Sequence, residues 1–233
     1  MARCGRLASA GGTMTAYFEY TEEEQEYLRQ KDRRLARVMD IVGPVRREVM
    51  PDLFSALMYS IVGQQVSTKA HRAIWERMQE RLGPVSPEWI GAAEPEALRA
   101  CGLSQRKVEY MQGAAEEVRS GRLDLAALQK LDDAAVCARL SALRGVGQWT
   151  AEMLLIFSLQ RRDVLSWQDL GIRRGLRMLY RHRELTPERF ARYKKRYSPC
   201  GTLASLYLWE LSCGRYEGYS DPAAAAGRKK DGK

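Results

Sequence analysis

Apolar residues recur at helical spacing along nearly the whole chain, and this spacing constrains the fold more than any other feature. In segment 53–66, for example, Leu53, Leu57 and Ile61 follow one another at intervals of four residues. We find no segment with the convincing alternation of apolar and polar residues that is typical of a half-buried strand. The pattern divides into about ten helices with short links, which predicts an all-α fold.

The 233 residues of the chain suit one domain or two small lobes. About ten helices with short links suit a compact bundle, and we predict two helical lobes with a cleft between them. One lobe would comprise residues 51–160. The other would be discontinuous, built from residues 14–50 and 161–218. Residues 1–13, which are basic and rich in small residues, are expected to form a disordered leader, and residues 219–233 a disordered tail.

Helix starts are marked by residues that can cap a helix. Thr21 is followed three residues later by Glu24, which predicts a capping box at the start of the first helix. Ser67 or Thr68 is expected to cap a later helix that ends at a Gly-Pro pair.

The charge of the chain is concentrated in one segment. The formal net charge is +9, and residues 161–196 hold twelve Lys or Arg against four Asp or Glu. A basic segment beside a nearly neutral remainder suits a docking face for a polyanion. The alternative interpretation is a well-solvated helical surface.

The cysteines and histidines give no sign of a disulfide framework or a zinc site. Five cysteines are scattered without a Cys-x-x-Cys pair, and the two histidines, His71 and His182, are far apart. This usage is typical of reduced thiols in a cytoplasmic or nuclear setting. The longest apolar run, residues 153–157, is far too short to span a membrane, so no membrane partner is expected.

Residues 143–147 read Leu-Arg-Gly-Val-Gly and lie between two helical segments. Glycines at 145 and 147 can take positive φ and bring the backbone close to a ligand, while the next helix directs its free N–H groups to the same point. We therefore predict phosphate contacts at Gly145, Val146, Gly147 and Thr150. The alternative is an ordinary tight turn between helices, because short glycine motifs are weak signals.

Several motifs together resemble one known family. Residues 143–151 continue as Leu-Arg-Gly-Val-Gly-Gln-Trp-Thr-Ala, residues 163–164 read Asp-Val, residues 169–172 read Asp-Leu-Gly-Ile, and residues 60–67 read Ser-Ile-Val-Gly-Gln-Gln-Val-Ser. This set resembles the helix-hairpin-helix base-excision DNA glycosylases, and is most similar to the 3-methyladenine DNA glycosylase II branch, which removes alkylated bases. The resemblance covers about residues 17–218, and it implies that the predicted cleft binds DNA.

The resemblance assigns the catalytic role to Asp169. Cleavage of an N-glycosidic bond builds positive charge on the sugar, and a carboxylate beside C1′ stabilises that charge. A compatible interpretation is that Asp169 is the N-cap of a helix that follows it. Asp163 is the rival acid, and its position favours a loop anchor.

The residue two positions after the second hairpin glycine separates two branches of the family. The lyase branch has a Lys there, whereas this sequence has Trp149. Without that amine there is no Schiff-base nucleophile. The resemblance therefore implies a monofunctional glycosylase that leaves an intact abasic site.

Aromatic residues are expected to line the pocket for the extruded base. Trp149 and Trp209 match aromatic pocket positions of the resembling branch, and a ring face attracts a cationic alkylated purine. Met153 stands where some relatives have a pocket aromatic, which leaves the preference of the pocket open. The alternative is that both tryptophans belong to the core.

The resemblance also places Gln65 as the residue that fills the gap left by the flipped base. The alternative is that Gln64 and Gln65 satisfy backbone groups at a helix end. Arg173 and Arg174, together with Arg177 and Arg181, would follow the DNA backbone, although some of these arginines could instead pair with the Glu-rich first helix.

No cofactor is expected to be required. The family often holds Na⁺ or K⁺ on hairpin carbonyls, which here would be those of Ser141, Leu143 and Gly145. The iron–sulfur branch uses four closely spaced C-terminal cysteines, whereas this half of the chain has Cys200 and Cys213, so no cluster is expected.

The leading hypothesis is a monomeric, monofunctional glycosylase that flips alkylated bases such as 3-methyladenine and 7-methylguanine out of damaged double-stranded DNA. One alternative is a glycosylase of other specificity, for uracil or hypoxanthine. Another is a non-catalytic helix-hairpin-helix DNA-binding module. Asp169 separates the last alternative from the others, because a pure binder has no need of an acid in the basic segment.

Overall fold

The computed structural model describes residues 16–227, and most of them are helical. In chain order the elements are β1 (Ala16–Tyr17), α1 (Glu22–Lys31), α2 (Arg33–Val42), β2 (Glu48–Val49), α3 (Leu53–Gly63), α4 (Thr68–Leu82), α5 (Pro87–Ala92), α6 (Pro95–Ala100), α7 (Gln105–Arg119), α8 (Leu125–Leu128), α9 (Asp133–Ser141), α10 (Gln148–Phe157), α11 (Leu170–Tyr180), α12 (Pro187–Tyr197), α13 (Gly201–Ser212) and α14 (Pro222–Gly227). The all-α prediction is confirmed, apart from a two-stranded sheet formed by β1 and β2. None of the helices within residues 16–227 has the length and apolarity needed to cross a bilayer.

Local capping explains where several helices begin. Thr21 accepts a hydrogen bond from the amide of Glu24, whose carboxylate accepts one from the amide of Thr21, so the predicted capping box is confirmed. Ser67 caps α4 by accepting from the amide of Ala70, which settles the choice between Ser67 and Thr68. These bonds satisfy backbone donors that a helix start leaves without an intrahelical partner.

The chain leaves α3 earlier than the apolar spacing predicts. The predicted segment runs to residue 66, whereas α3 ends at Gly63. Gln64 is extended, and Gln65 has a φ of 55°, a left-handed conformation that a non-glycine residue adopts at some cost. The periodic pattern also gave no prediction for α8, β1 or β2, because segments of two to four residues are too short to show a period.

The prediction of disorder from residue 219 onward is wrong for residues 219–227. Residues 222–227 form α14, and Asp221 just before it accepts two hydrogen bonds from the guanidinium of Arg177, at 3.0 and 2.6 Å. A partly buried ion pair therefore holds this segment, which its alanine-rich composition did not indicate. The predicted leader at residues 1–13 and the last six residues of the predicted tail lie outside the described residues.

The described chain divides into two compact units. We call residues 48–160 the continuous unit, and residues 17–47 together with those from 161 on the split unit. The sequence-based boundaries lie at residues 50 and 160. In the continuous unit, α3 packs against α4, α7 and α10, and Leu57, Met111 and Ile156 are fully buried.

The split unit is centred on the pair of helices α11 and α13, against which α2 also packs. Leu35 from α2, Leu176 from α11 and Leu206 from α13 are fully buried there. The two ends of the chain therefore contribute to one core, and that core supports the acidic residue Asp169 at the start of α11.

Candidate active site

The hairpin between α9 and α10 has two buried apolar side chains and one left-handed glycine. Leu143 and Val146 are buried, and the amide of Val146 donates to the carbonyl of Leu143 at 3.1 Å. Gly145 has a φ of 85°. Gly147 has a φ of −96°, so of the two glycines it is Gly145 that uses the positive φ that glycine permits.

The two hairpin glycines have opposite surroundings. A Cβ on Gly145 would lie 2.2 Å from the ring of Tyr110, whereas a Cβ on Gly147 would meet no atom within 4 Å. Gly145 is therefore required by packing inside the protein and by its φ. Gly147 has open space in front of its α-carbon, so it is the glycine that a ligand can approach closely.

Helix α10 starts at Gln148 without a side-chain cap, and Gly147 is its N-cap residue. Within residues 16–227, the positive end of the helix therefore has no carboxylate or hydroxyl hydrogen-bonded to it as a cap. Of the other predicted contacts, Thr150 is buried. Val146 is also buried and uses its amide within the hairpin, so it shapes the turn. Its contact with a phosphate stays a prediction.

The end of α3 is tied to the hairpin by Gln64. Its side-chain Nε2 donates to the carbonyl of Gly145 at 2.9 Å. Gln64 thus satisfies a backbone group, as the alternative predicts, but that group lies in the hairpin and not at a helix end. The neighbouring Gln65 is exposed and has the left-handed φ described above, a type of strain that is concentrated at functional sites.

The carbonyls predicted to hold a monovalent cation are already partly engaged. The Gly145 carbonyl accepts from Gln64, and the Leu143 carbonyl accepts from Val146, which leaves one lone pair on each oxygen. The hydroxyl of Ser141 is buried with no hydrogen-bond partner. A Na⁺ or K⁺ ion fits this set of hard oxygen ligands, but it would share two of the carbonyls with amide donors.

Asp169 is the N-cap of α11 and is also held from a second side. Its Oδ1 accepts from the amide of Ile172 at 2.8 Å and from the indole Nε1 of Trp209 at 2.8 Å. Asp169 is only 4% exposed. The capping interpretation is thus confirmed, and the two bonds fix the orientation of the carboxylate.

Two glycines on α11 allow Trp209 to reach Asp169. A Cβ on Gly175 would lie 2.4 Å from the backbone oxygen of Leu208, and a Cβ on Gly171 would lie 2.8 Å from the indole of Trp209. Helix α13 can therefore approach α11 closely. The bond from Trp209 to Asp169 was not predicted from the sequence. The sequence feature that indicates the close packing behind it is the pair of glycines four residues apart on one face of α11.

The predicted pocket residues have different environments. Trp149 is 42% exposed, so the alternative that it belongs to the core is wrong. Trp209 is half-buried, with its N–H on Asp169. Met153 is buried, one turn along α10 from Trp149.

The rival acid Asp163 is a loop anchor, as predicted. Its carboxylate accepts from the amide of Gly201 at 3.1 Å and from the hydroxyl of Ser198. These bonds tie the segment before α11 to the start of α13.

The basic residues around α11 are less available than the count of charges predicts. Arg174 and Arg177 lie 3.7 and 2.6 Å from Asp221, so they pair with this acid and not with the first helix. The guanidinium of Arg173 stacks over the ring of Trp167, 4.3 Å from its centroid. Elsewhere in the segment Arg162 and Arg196 also form ion pairs, with Glu24 and Asp32.

The chain thus has a helix-hairpin-helix turn and an oriented, buried aspartate, and comparison with known proteins identifies the class of protein that has both. Residues 58–199 match the HhH-GPD superfamily of base excision DNA repair proteins, and the chain belongs to this superfamily. The resemblance stated from the sequence is therefore confirmed.

Within the superfamily the chain is similar to 3-methyladenine DNA glycosylases. It is 32% identical to DNA-3-methyladenine glycosylase 1 of Schizosaccharomyces pombe, over 77% of this chain and 81% of that protein. The crystal structure of a Bacillus halodurans DNA-3-methyladenine glycosidase superimposes with a TM-score of 0.78 at 38% identity, covering 91% of this chain and 99% of the other. The Schizosaccharomyces pombe enzyme in complex with abasic DNA superimposes with a TM-score of 0.73 at 31% identity, covering 85% and 99%.

Proposed function

We propose that this protein is a monofunctional DNA glycosylase that releases 3-methyladenine, 7-methylguanine and similar alkylated bases from double-stranded DNA. Its membership of a base excision repair superfamily supports this proposal. Its similarity, over most of its length, to proteins named as 3-methyladenine glycosylases or glycosidases supports it as well. The product would be an intact abasic site.

The observation that carries the proposal is the geometry of Asp169. The carboxylate is buried and held by two donors, the amide of Ile172 and the indole of Trp209. When the N-glycosidic bond breaks, its electron pair leaves with the base and C1′ becomes electron-deficient. A fixed carboxylate stabilises that positive charge, and water then adds to C1′ and releases a proton.

Trp149 argues against lyase chemistry. A lyase needs an amine that attacks C1′ to form a Schiff base, and an indole has no such nucleophile. Trp149 is instead half-exposed on α10, where its ring can stack on a cationic base. We assign it to the base pocket, with Trp209 and the buried Met153 as the other candidate pocket residues.

The hairpin is assigned to the DNA backbone. Gly147 offers open space at the uncapped start of α10, where the helix dipole favours an anion such as a phosphate. Gly145 and Val146 hold the turn in shape, and Thr150 follows in the first turn of the helix. A Na⁺ or K⁺ ion on the carbonyls of this turn remains part of the proposal, as do phosphate contacts from Arg173 and Arg174.

Gln65 is assigned to the gap that the flipped base leaves. It is exposed, its backbone is strained, and Gln64 ties its loop to the hairpin. A Gln→Ala substitution at 65 should reduce base extrusion, which the fluorescence of a 2-aminopurine placed opposite or beside the lesion would report.

The decisive experiment replaces Asp169 by Asn. Asparagine is also a favoured N-cap and its carbonyl can accept both hydrogen bonds, so the fold is retained while the charge is lost. We expect the rate of base release from methylated DNA, measured by chromatography of the free bases, to fall by about 10²–10³-fold or more. Asp124→Asn is the matched control, because Asp124 is the N-cap of α8 and its replacement should leave the rate unchanged.

Three outcomes contradict the proposal. Base release that survives Asp169→Asn would remove the assigned role. Strand breakage without alkali would exclude a monofunctional enzyme. Release of uracil or hypoxanthine from single-lesion duplexes, with alkylated bases left in place, would assign a different specificity.

A further inference from the structure

A group of three side chains is centred on a tyrosine ring that packs against the hairpin, and the proposed function gives this group no role. The ring of Tyr110 from α7 lies against Gly145, so closely that no side chain fits at that position. Arg106, one turn earlier on α7, donates from its guanidinium to the hydroxyl of Tyr110 at 2.9 Å. Arg144, in the hairpin itself, lies on the same ring. We call Arg106, Tyr110 and Arg144 the arginine–tyrosine cluster.

The cluster holds two positive charges close together at the surface. The guanidinium carbons of Arg106 and Arg144 lie 5.9 and 5.8 Å from the centroid of the Tyr110 ring, so the charges are at most about 12 Å apart. The side chain of Arg144 is 77% exposed, and Arg106 is also exposed. Both guanidinium groups can therefore reach a ligand in solution without leaving the ring.

The fold itself gains little from these charges. Arg106 lies in the first turn of α7, which has no acidic residue, and a cation at this end of a helix is disfavoured by the helix dipole. The neighbouring Lys107 turns inward and donates to the carbonyl of Val62 on α3 at 2.8 Å, whereas the hydrogen bond of Arg106 is to Tyr110 on its own helix. Glu109 lies 3.6 Å from Arg144, an exposed pair of the kind that contributes little to stability.

We propose that the arginine–tyrosine cluster is a second phosphate-binding site, which takes a backbone phosphate of duplex DNA next to the one bound at Gly147. This inference rests on the proposed function, since it requires that the hairpin holds DNA. Guanidinium groups bind phosphate oxygens through paired N–H donors and carry no information about the base. The hairpin amides carry no net charge, so the arginines would supply the salt-dependent part of binding on this unit.

The test measures the affinity for a fluorescein-labelled undamaged duplex by anisotropy over a series of KCl concentrations. Each of Arg106→Ala and Arg144→Ala is expected to reduce the slope of log K against log salt by about 0.9, and the double variant by about twice that. At 0.1 M salt, a slope reduced by about 0.9 corresponds to about eightfold weaker duplex binding by each single variant than by the wild type. Arg122→Ala is the matched control: Arg122 also pairs with a glutamate, Glu117, but lies beyond the opposite end of α7.

A variant that acts in the opposite direction strengthens the test. Glu109→Gln removes the acid that competes with phosphate for Arg144, so binding should tighten, by up to about fivefold. In the Arg144→Ala background the same substitution should have a smaller effect, because the guanidinium that it frees is gone. Thermal melting by circular dichroism checks that every variant is folded.

The inference is overturned if both arginine variants have the same slope of log K against log salt as the wild type and Arg122→Ala. Gly147→Glu, measured in the same series, separates this failure from failure of the proposed function. If Gly147→Glu weakens binding while the arginine variants do not, the hairpin still binds DNA and the cluster does not. If Gly147→Glu also has no effect, the hairpin is not the backbone contact and both proposals fail.

Discussion

Gly145 and Gly147 are separated by a single residue, yet they are glycines for different physical reasons. The first has a φ of 85° and the ring of Tyr110 against its α-carbon, whereas the second has an ordinary extended φ and empty space. At the scale of single residues, the first is therefore required by the fold, and the second is the one that we propose for the ligand.

This distinction predicts different results for one substitution at the two positions. Gly145→Ala should lower the free energy of unfolding by about 2–5 kcal/mol, because a Cβ there meets both backbone strain and the Tyr110 ring. Gly147→Ala should change it by less than about 0.5 kcal/mol but weaken duplex binding. Urea denaturation and fluorescence anisotropy measure the two quantities, and a stability loss at 147 equal to that at 145 would contradict the assignment.

Trp209 gives a second residue-scale prediction. Trp209→Phe keeps an aromatic ring but removes the N–H that donates to Asp169. A hydrogen bond to a charged acceptor is worth about 1.5–3 kcal/mol, so the single-turnover rate of base release should fall by about 10–100-fold, with duplex affinity nearly unchanged. Trp89→Phe, at an exposed tryptophan of α5, is the control. Equal rates for the two variants would show that the indole N–H does not position the carboxylate.

At the scale of elements, the packing of α11 on α13 decides where the acid lies. Gly175 lets the backbone of Leu208 approach to a distance that excludes a Cβ. Gly175→Ala should therefore force the two helices apart, lower the free energy of unfolding by about 1–3 kcal/mol and slow base release. Gly113→Ala, in α7 with nothing within 4 Å, should instead stabilise by about 0.5–1 kcal/mol. If both substitutions stabilise the protein in urea, the helix contact is looser than described.

The two histidines are expected to make the free energy of unfolding depend on pH. Burial lowers the pKa of His71, whose ring packs at a tilt against that of Tyr59 between α3 and α4. Burial together with nearby arginines lowers the pKa of His182. The unfolded chain thus binds protons near pH 6.5 that the folded chain does not, so stability is intact above this pH and falls as the pH drops below it.

Urea denaturation between pH 7.5 and 5.5 tests this dependence. The fall in unfolding free energy should be smaller in His71→Gln and in His182→Gln than in the wild type. A fall of unchanged size in both variants would assign the pH dependence to other groups.

The elements also show what a sequence can and cannot reveal. The capping box of Thr21 and the cap at Ser67 were predictable because each bond joins residues three apart. The bond from Trp209 to Asp169 was not, because it joins residues 40 apart and depends on how α13 packs on α11. The φ of Gly147 was not predictable for a related reason: glycine permits positive φ, but the surrounding structure decides whether it is used.

At the scale of the whole molecule, the split unit takes its core from both ends of the chain. Leu35 on α2 is buried in the same unit as Leu176 on α11, although the continuous unit separates them in sequence. The positive charge of segment 161–196 is likewise partly compensated by acids from distant parts of the sequence, since Arg162 pairs with Glu24 and Arg196 with Asp32. The excess of twelve basic over four acidic residues in segment 161–196 therefore overstates the free positive surface, which no local count could reveal.

The connectivity predicts how fragments behave. Residues 48–160, expressed alone, should keep helical circular dichroism and a cooperative urea transition, because the continuous unit has its own core. Residues 161–227 alone should not, since α2 is missing from their core. Cooperative unfolding of the second fragment would show that α1 and α2 are dispensable for the split unit.

At the uncapped start of α10, the residue that would be best for stability differs from the residue that would be best for activity. Asp or Ser at position 147 would supply the cap that α10 lacks, and the gain over glycine is a few tenths of a kcal/mol. The same side chain would fill the space in front of the backbone, and an aspartate would repel phosphate there. Laboratory evolution for heat resistance alone would thus favour changes at 147 that a screen for repair would reject. A library scored by both criteria would reveal this position as a point where the two selections diverge.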